Sequence, residues 1–144
     1  MKVFFSGFFF VLFLSQVNAQ RKSDDVLGVW LTDDGRAKIE IYKNGVTYAG
    51  KIVWLETQVD KNSNPPLDDK NPDPELSKRP ILGIDLLKGF VFEKSKWVDG
   101  EIYDPDNGKT YDAYMKLKGD RLELRGYVGV SMFGRTVVWT RTRL

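Results

Sequence analysis

The sequence predicts an all-β fold: a single antiparallel barrel of eight strands that follow one another in chain order as a meander. Apolar residues alternate with polar ones along most of the chain, and turn residues separate these stretches. Beyond the N-terminal segment, no stretch of ten or more residues carries a helical stripe. A sheet of this size must close or be covered, because its open edges would template aggregation. Closure into a barrel satisfies this requirement directly.

The alternation is clearest in two predicted hairpins. Along residues 37–42 small and branched apolar residues alternate with polar ones, and Asn44-Gly45 then predicts a tight turn. Residues 111–117 alternate in the same way before the turn residues Lys118-Gly119-Asp120. Eight strands are predicted, at residues 28–32, 37–42, 46–55, 81–92, 97–104, 109–117, 121–128 and 136–143.

Lys88-Gly89 could divide the fourth strand into a hairpin. That division would give nine strands, and a meander of nine would bring its first and last strands together in parallel. Eight strands allow these two to pair antiparallel. We therefore interpret Gly89 as a bulge or bend.

The first 19 residues predict a cleaved signal peptide. A single charge, Lys2, precedes an apolar run from Val3 to Leu14, and the polar stretch Ser15 to Asn18 follows. The run is about 12 residues long, short of the roughly 20 that a membrane-spanning helix needs, so no transmembrane segment is expected. Residues 20–144 are expected to form one exported domain, periplasmic or extracellular.

Residues 56–80 predict a long loop, because they contain five of the six prolines among aspartate, asparagine and serine. Within this loop Asp73 and Pro74 could start one helical turn, with Asp73 as its N-cap.

The composition excludes several kinds of chemistry. The chain contains neither cysteine nor histidine, which removes disulfides, a thiol nucleophile, a Ser-His-Asp triad and most catalytic metal sites. No nucleophile and base pair is supported elsewhere, so the sequence favours a protein that is not an enzyme and needs no cofactor or metal. The net charge is +2, with both signs scattered along the chain, and nucleic acid is therefore not an expected partner.

Two acidic segments resemble metal loops only superficially. Asp104-Pro105-Asp106-Asn107-Gly108 is also what a short hairpin connection requires, and the turn is the better interpretation. Residues 60–64 begin like an EF-hand loop, but Pro65 occupies the position that requires glycine and Asn71 the position of the bidentate glutamate. These two residues argue against an EF-hand and leave adventitious calcium binding open.

Residues near both ends of the predicted barrel resemble the Gly-x-Trp and late-arginine signature of the lipocalins. They are Gly28-Val29-Trp30 in the first strand and Trp139-Thr140-Arg141 in the last. The resemblance implies that Trp30 closes the barrel floor and that Arg141 packs across its ring. An eight-stranded meander agrees, because the start of its first strand and the end of its last lie at the same end.

Three longer segments resemble a bacterial family called domain of unknown function 2147. They are Arg79-Pro80-Ile81-Leu82-Gly83, Gly100-Glu101-Ile102-Tyr103-Asp104-Pro105 with Gly108-Lys109-Thr110-Tyr111, and Arg125-Gly126-Tyr127-Val128-Gly129 continuing to Arg141. The resemblance covers essentially the whole mature chain. It implies an exported bacterial protein with a lipocalin-like barrel, and it implies no particular activity.

Strand parity places the candidate site at the end opposite the floor, which we call the mouth. Four loops gather there, with residues 56–80 long enough to lie over the opening as a lid. We predict these ligand-binding residues at the mouth: Arg36, Arg79, Tyr103, Asp104, Met132, Phe133 and Arg135. The alternative is that the arginines pair with aspartates and only tie the loops together. The barrel interior could likewise be hollow or filled by its own side chains.

Two functional hypotheses follow. The first is a non-catalytic module that binds a small apolar or anionic amphiphilic molecule at the mouth. The second is an envelope protein whose apolar loop tips or strand edge contact another protein. A continuous cavity would favour the first hypothesis, and a filled barrel with exposed Met132 and Phe133 would favour the second.

We expect the exported protein to begin at Gln20, because Val17-Asn18-Ala19 supplies the small residues that signal peptidase reads. An intact-mass measurement on exported material checks this expectation. A mature chain that retains residues 1–14 would contradict the export prediction.

Overall fold

A computed structural model describes residues 22–144, and these residues form the predicted closed antiparallel barrel of eight strands in chain order. The predicted signal peptide and the cut before Gln20 fall on residues 1–21, outside the described residues. The strands are β1 (Gly28–Leu31), β2 (Ala37–Asn44), β3 (Thr47–Leu55), β4 (Asp85–Glu93), β5 (Lys96–Asp104), β6 (Lys109–Lys118), β7 (Arg121–Tyr127) and β8 (Arg135–Thr142). Two short 3-10 helices, Leu76–Lys78 and Ser131–Phe133, lie in loops.

The fourth strand differs most from its predicted bounds. It begins at Asp85 and not at residue 81, because residues 81–84 form a turn in which Ile84 N donates to Ile81 O and Gly83 adopts a φ of 95°. The strand was predicted to start four residues too early because Ile81 and Leu82 are apolar, as residues at the start of a strand usually are. Gly89 is confirmed as a bulge: its φ is 74°, and the pairing of β4 with β3 shifts across it.

Side chains fill the barrel interior. Residues from all eight strands form one buried cluster, which includes Trp30, Ile39, Ile52, Phe90, Trp97, Met115, Leu124 and Trp139. The packing is close enough to require glycine at position 100, where a β-carbon would lie 2.4 Å from the Phe90 ring. Of the two alternatives for the barrel interior, the structure therefore shows the one that is filled by side chains.

Trp30 and Arg141 close the barrel floor. They are paired residues on β1 and β8, and the Arg141 guanidinium lies 4.3 Å from the centre of the Trp30 ring. The same guanidinium donates to Leu27 O at 2.9 Å and to Asp25 O at 2.7 Å. A β-carbon at Gly28 would lie 3.0 Å from Arg141 Nη1, so glycine at this position leaves room for the arginine side chain.

Residues 22–27 cover this floor from outside. Trp97 Nε1 donates to Ser23 O at 3.1 Å, Tyr48 Oη donates to Asp24 at 2.7 Å, and the Val26 side chain is fully buried. The Tyr48 hydrogen bond and the nearby Lys43 charge lower the pKa of Asp24. The floor is therefore sealed by apolar packing together with hydrogen bonds.

Trp30 and Arg141 should be energetically coupled. We expect Trp30→Phe and Arg141→Gln each to lower the free energy of unfolding by about 1–3 kcal/mol. The double variant should lose less than the sum of the two by about 0.5–2 kcal/mol, the size of a cation–π contact. Chemical denaturation of the four proteins measures this coupling. Arg121→Gln serves as the control partner, and equal coupling of Trp30 to both arginines would contradict the contact.

Candidate functional site at the barrel mouth

Four loops lie at the end opposite the floor. They connect β1 to β2, β3 to β4, β5 to β6 and β7 to β8, and they carry the residues predicted to form the site. The structure divides these residues into three separate groups.

The first group is an ion pair between Arg36 and Asp106. Arg36 Nη2 lies 3.0 Å from both carboxylate oxygens of Asp106, and Arg36 Nε lies 3.3 Å from Asp34. In a closed barrel of eight strands, the β1–β2 and β5–β6 loops lie on opposite sides, because two strands separate them in either direction. The ion pair therefore spans the mouth. Its hydrogen bond and charge raise the pKa of Arg36.

Asp104 supports this pair indirectly. Its side chain accepts a hydrogen bond from Asp106 N at 2.9 Å, and its carbonyl accepts one from Gly108 N at 2.8 Å. Asp104 thus shapes the hairpin turn, which agrees with the turn interpretation of residues 104–108.

The second group joins Arg79 and Tyr103 through Asp68, a fully buried carboxylate. Asp68 accepts from Arg79 Nε at 3.0 Å, from Tyr103 Oη at 2.5 Å and from Asn71 Nδ2 at 2.9 Å. Burial, followed by the hydrogen bond to Asp68, raises the pKa of Tyr103 to about 12. The phenol therefore stays protonated at neutral pH and keeps donating to Asp68.

The Asp68 network holds the long loop against the outside of the barrel. Tyr103 follows the inward-facing Ile102 on β5 and so faces outward. The carbonyl of Lys70 contacts Gly108, and Lys70 Nζ donates to Asp106 O at 2.9 Å. These contacts follow the outer face of β4–β6, and Lys70 reaches the rim. Glu56 reaches the rim as well, because its N donates to Arg36 O at 2.8 Å. This position differs from the lid expected over the opening.

Two clefts flank this loop, with volumes of about 220 and 310 Å³. Both are bordered by Arg79, Asp85 and Lys88, so they too lie on the outer face of the barrel. The short helical turn occupies Leu76–Lys78, and its N-cap is Glu75 and not the predicted Asp73. The Asp73 side chain instead accepts a hydrogen bond from Glu75 N at 2.9 Å, in the chain just before the turn. Across residues 22–144, no cluster of three or more acidic residues could hold a metal ion.

The third group comprises Met132, Phe133 and Arg135. The side chains of Met132 and Phe133 are 75% and 78% exposed. Arg125 fixes the backbone of their loop: its guanidinium donates to Ser131 O at 2.6 Å, to Met132 O at 3.2 Å and to Thr136 Oγ1 at 2.9 Å. Arg135 is exposed at the base of the loop, and within residues 22–144 its guanidinium makes no hydrogen bond or ion pair.

Sequence reasoning missed Asp68 and Arg125, the two residues that organise these loops. Asp68 stands beside Asp69 in a polar, proline-rich stretch, and only its burial distinguishes it from that neighbour. Arg125 occupies an outward strand position, where an arginine is unremarkable. Neither residue carries a local sequence signal of its role.

Removing the Asp68 carboxylate should release the long loop while leaving the barrel folded. A charged hydrogen bond is worth roughly 1.5–3 kcal/mol, so Asp68→Ala should raise the rate of proteolytic cleavage within residues 56–80 by at least about tenfold. Limited proteolysis with mass spectrometry measures the cleavage sites. Asp69→Ala is the matched control, because Asp69 is exposed. Equal cleavage of both variants would contradict the anchoring role of Asp68.

Comparison with known proteins agrees with the architecture. A solved structure described as "Protein HP1028 from the human pathogen Helicobacter pylori belongs to the lipocalin family" is similar to this chain with a TM-score of 0.70 and 21% sequence identity. The similarity covers 81% of this chain and 82% of that one. No curated protein sequence matches the chain.

No helix within residues 22–144 has the length and apolar character that a membrane-spanning helix requires. The family described as "Uncharacterized protein conserved in bacteria (DUF2147)" matches residues 28–141, from the glycine of β1 to the arginine of the barrel floor. The chain therefore belongs to this bacterial family of uncharacterised proteins, and it is built on a lipocalin-like barrel.

Proposed function

We propose that this protein is a non-catalytic binding module that holds the apolar part of a small anionic amphiphile in a shallow site at the barrel mouth. The observation that carries the proposal is the exposed Arg135, whose guanidinium has no hydrogen-bond or ion-pair partner among residues 22–144 and which follows the apolar tips Met132 and Phe133 in the chain. A fixed positive charge next to apolar surface complements a molecule with an anionic head and an apolar tail.

A gradient of burial along the barrel axis supports a shallow site. Deep residues such as Trp30 and Met115 are fully buried. Inward-facing residues nearer the mouth, Leu55, Ile102 and Val137, pack against the same core but remain partly exposed. Because side chains fill the barrel interior, a ligand could not enter it and would bind on the partly exposed residues near the mouth.

Arg135 is the arginine best suited to the head group. Asp106 and Asp34 already occupy the Arg36 guanidinium, and Asp68 occupies the Nε of Arg79. The ion pair of Arg36 joins two loops, as in the alternative interpretation, whereas Arg79 pairs with Asp68 within its own loop. A ligand would have to displace Asp106 to reach Arg36, whereas Arg135 needs no such exchange.

The absence of histidine and cysteine from all 144 residues supports a binding role over an enzymatic one. Contact with another envelope protein is a second candidate function. The filled barrel and the exposed side chains of Met132 and Phe133 favour it. Crosslinking in the native host followed by mass spectrometry distinguishes a stable protein partner from a co-purified small molecule.

Replacing Arg135 should weaken ligand binding more than folding. Loss of a charged hydrogen bond of roughly 1.5–3 kcal/mol should lower the affinity of Arg135→Gln for a soluble single-chain fatty acid by about ten- to a hundredfold. Isothermal titration calorimetry measures the affinity, and thermal denaturation should show an unchanged Tm. Arg121→Gln, at the start of β7 near the floor, is the matched control. A lowered Tm with unaltered affinity, or no binding by the wild type, would contradict the proposal.

A further inference from the structure

Charge is distributed unequally around the barrel, although the chain as a whole is nearly neutral. Residues 109–144, which form β6, β7 and β8, contain eight lysines and arginines and only three acidic residues. Residues 22–108 contain twelve basic and seventeen acidic residues. Since β6–β8 are neighbours in the barrel, the side that they form carries a net positive charge and the remainder a net negative charge. Four of the eight basic residues lie toward the floor end of this side: Lys118, Arg121, Arg141 and Arg143.

The apolar loop between β7 and β8 projects from the basic side. Val128, Val130, Met132 and Phe133 are between 55% and 78% exposed, all within six residues. Arg125 holds the carbonyls of Ser131 and Met132, so this loop is fixed in place and presents its side chains outward. A convex, preorganised apolar tip has little conformational entropy to lose when it inserts into an apolar phase.

Amphipathic side chains surround the base of this loop. The rings of Tyr114 and Tyr127 lie 6.4 Å apart, and Lys116 Nζ lies 5.6 Å from the Tyr114 ring. Arg125 and Arg135 have no carboxylate partner within residues 22–144. The exposed Asp112 on β6 pairs with Tyr127 on β7, so an acidic residue lies near the base of the loop. Apolar tips followed by tyrosine and then by basic residues match the depth profile of a membrane interface.

We infer that the β7–β8 loop and the outer face of β6–β8 dock on an anionic lipid surface, with Met132 and Phe133 inserted below the head groups. Lysine and arginine on this face would attract the negatively charged head groups, and the acidic remainder of the barrel would face away. This inference goes beyond the proposed function, because the lipid contact does not require that the mouth takes a ligand.

The apolar tip distinguishes a lipid surface from other partners of a basic face. A phosphate backbone would be contacted by lysine and arginine, with no use for four exposed apolar side chains on one loop. An acidic protein would need a pocket shaped for these tips. A fluid lipid surface accepts them without one.

Vesicle sedimentation tests the inference with the protein purified from its own host. Vesicles of phosphatidylcholine with about 30% phosphatidylglycerol supply an anionic surface, and pure phosphatidylcholine is the comparison. We expect binding to the anionic vesicles that weakens with salt. Met132→Ser combined with Phe133→Ser should lower the partition coefficient by about tenfold or more, and Arg135→Gln by about fivefold.

Two exposed residues at the floor end provide matched controls. Val46→Ser removes an apolar side chain that is 87% exposed, and Lys96→Gln removes an exposed charge, so neither should alter vesicle binding. Insertion can be observed directly in Phe133→Trp, whose added fluorescence should be quenched by brominated lipids. Thermal denaturation confirms that each variant is folded.

Several results would overturn the lipid contact. One is equal binding to both kinds of vesicle, and another is binding that survives the double serine variant. Binding to duplex DNA without binding to vesicles would assign the basic face to nucleic acid. Self-association that the serine variant abolishes, again without vesicle binding, would assign the loop to a second copy of the chain. Fatty-acid binding in solution is measured separately, so failure of one proposal does not imply failure of the other.

Discussion

The packing of Arg141 on Trp30 is the contact on which the rest of the barrel depends. β1 has only four residues, and three residue pairs join it to β8, so the ladder that closes the barrel at this seam is short. A barrel without cysteine cannot reinforce the seam with a disulfide. Arg141 supplies what the short ladder lacks, because one guanidinium covers the Trp30 ring and holds two carbonyls of the segment that crosses the floor. If the seam opened, two strand edges would be exposed together.

Closing the floor determines where function can reside. The segment over the floor buries Val26 and satisfies the polar atoms of Tyr48 and Trp97, so within residues 22–144 the floor is covered by packed and hydrogen-bonded side chains. Large side chains then fill the barrel above the floor. At the mouth, Arg36 and Asp106 link opposite loops, and Asp68 draws the longest loop onto the outer face. Among the mouth loops, the most exposed large apolar side chains lie on the β7–β8 loop: Phe133, Met132 and Val128.

The sequence predicted the fold more fully than the site, for a physical reason. Alternation and turn chemistry are local, so they set the number of strands, their order and most of their ends. The resemblance to lipocalins gave the contact between Trp30 and Arg141, which joins opposite ends of the chain. The site depends on which outward or loop residues find each other, and strand parity places residues at the right end without choosing their partners. Arg79 was therefore expected to face the mouth, whereas its buried partner Asp68 holds it on the outer face.

The unequal distribution of charge could not be predicted either, because it too depends on which parts of the chain come together in the fold. Both signs occur throughout the sequence, and the net charge of +2 suggests no preferred partner. Folding brings β6, β7 and β8 together, so residues with a net positive charge lie on one side of the barrel and residues with a net negative charge on the remainder. Near an anionic surface such a molecule is attracted on one side and repelled on the other, so it is oriented before it makes contact. The β7–β8 loop belongs both to the basic side and to the rim of the mouth. Docking through this loop would therefore bring Arg135 and the proposed ligand site to the lipid surface, where amphiphiles are most concentrated.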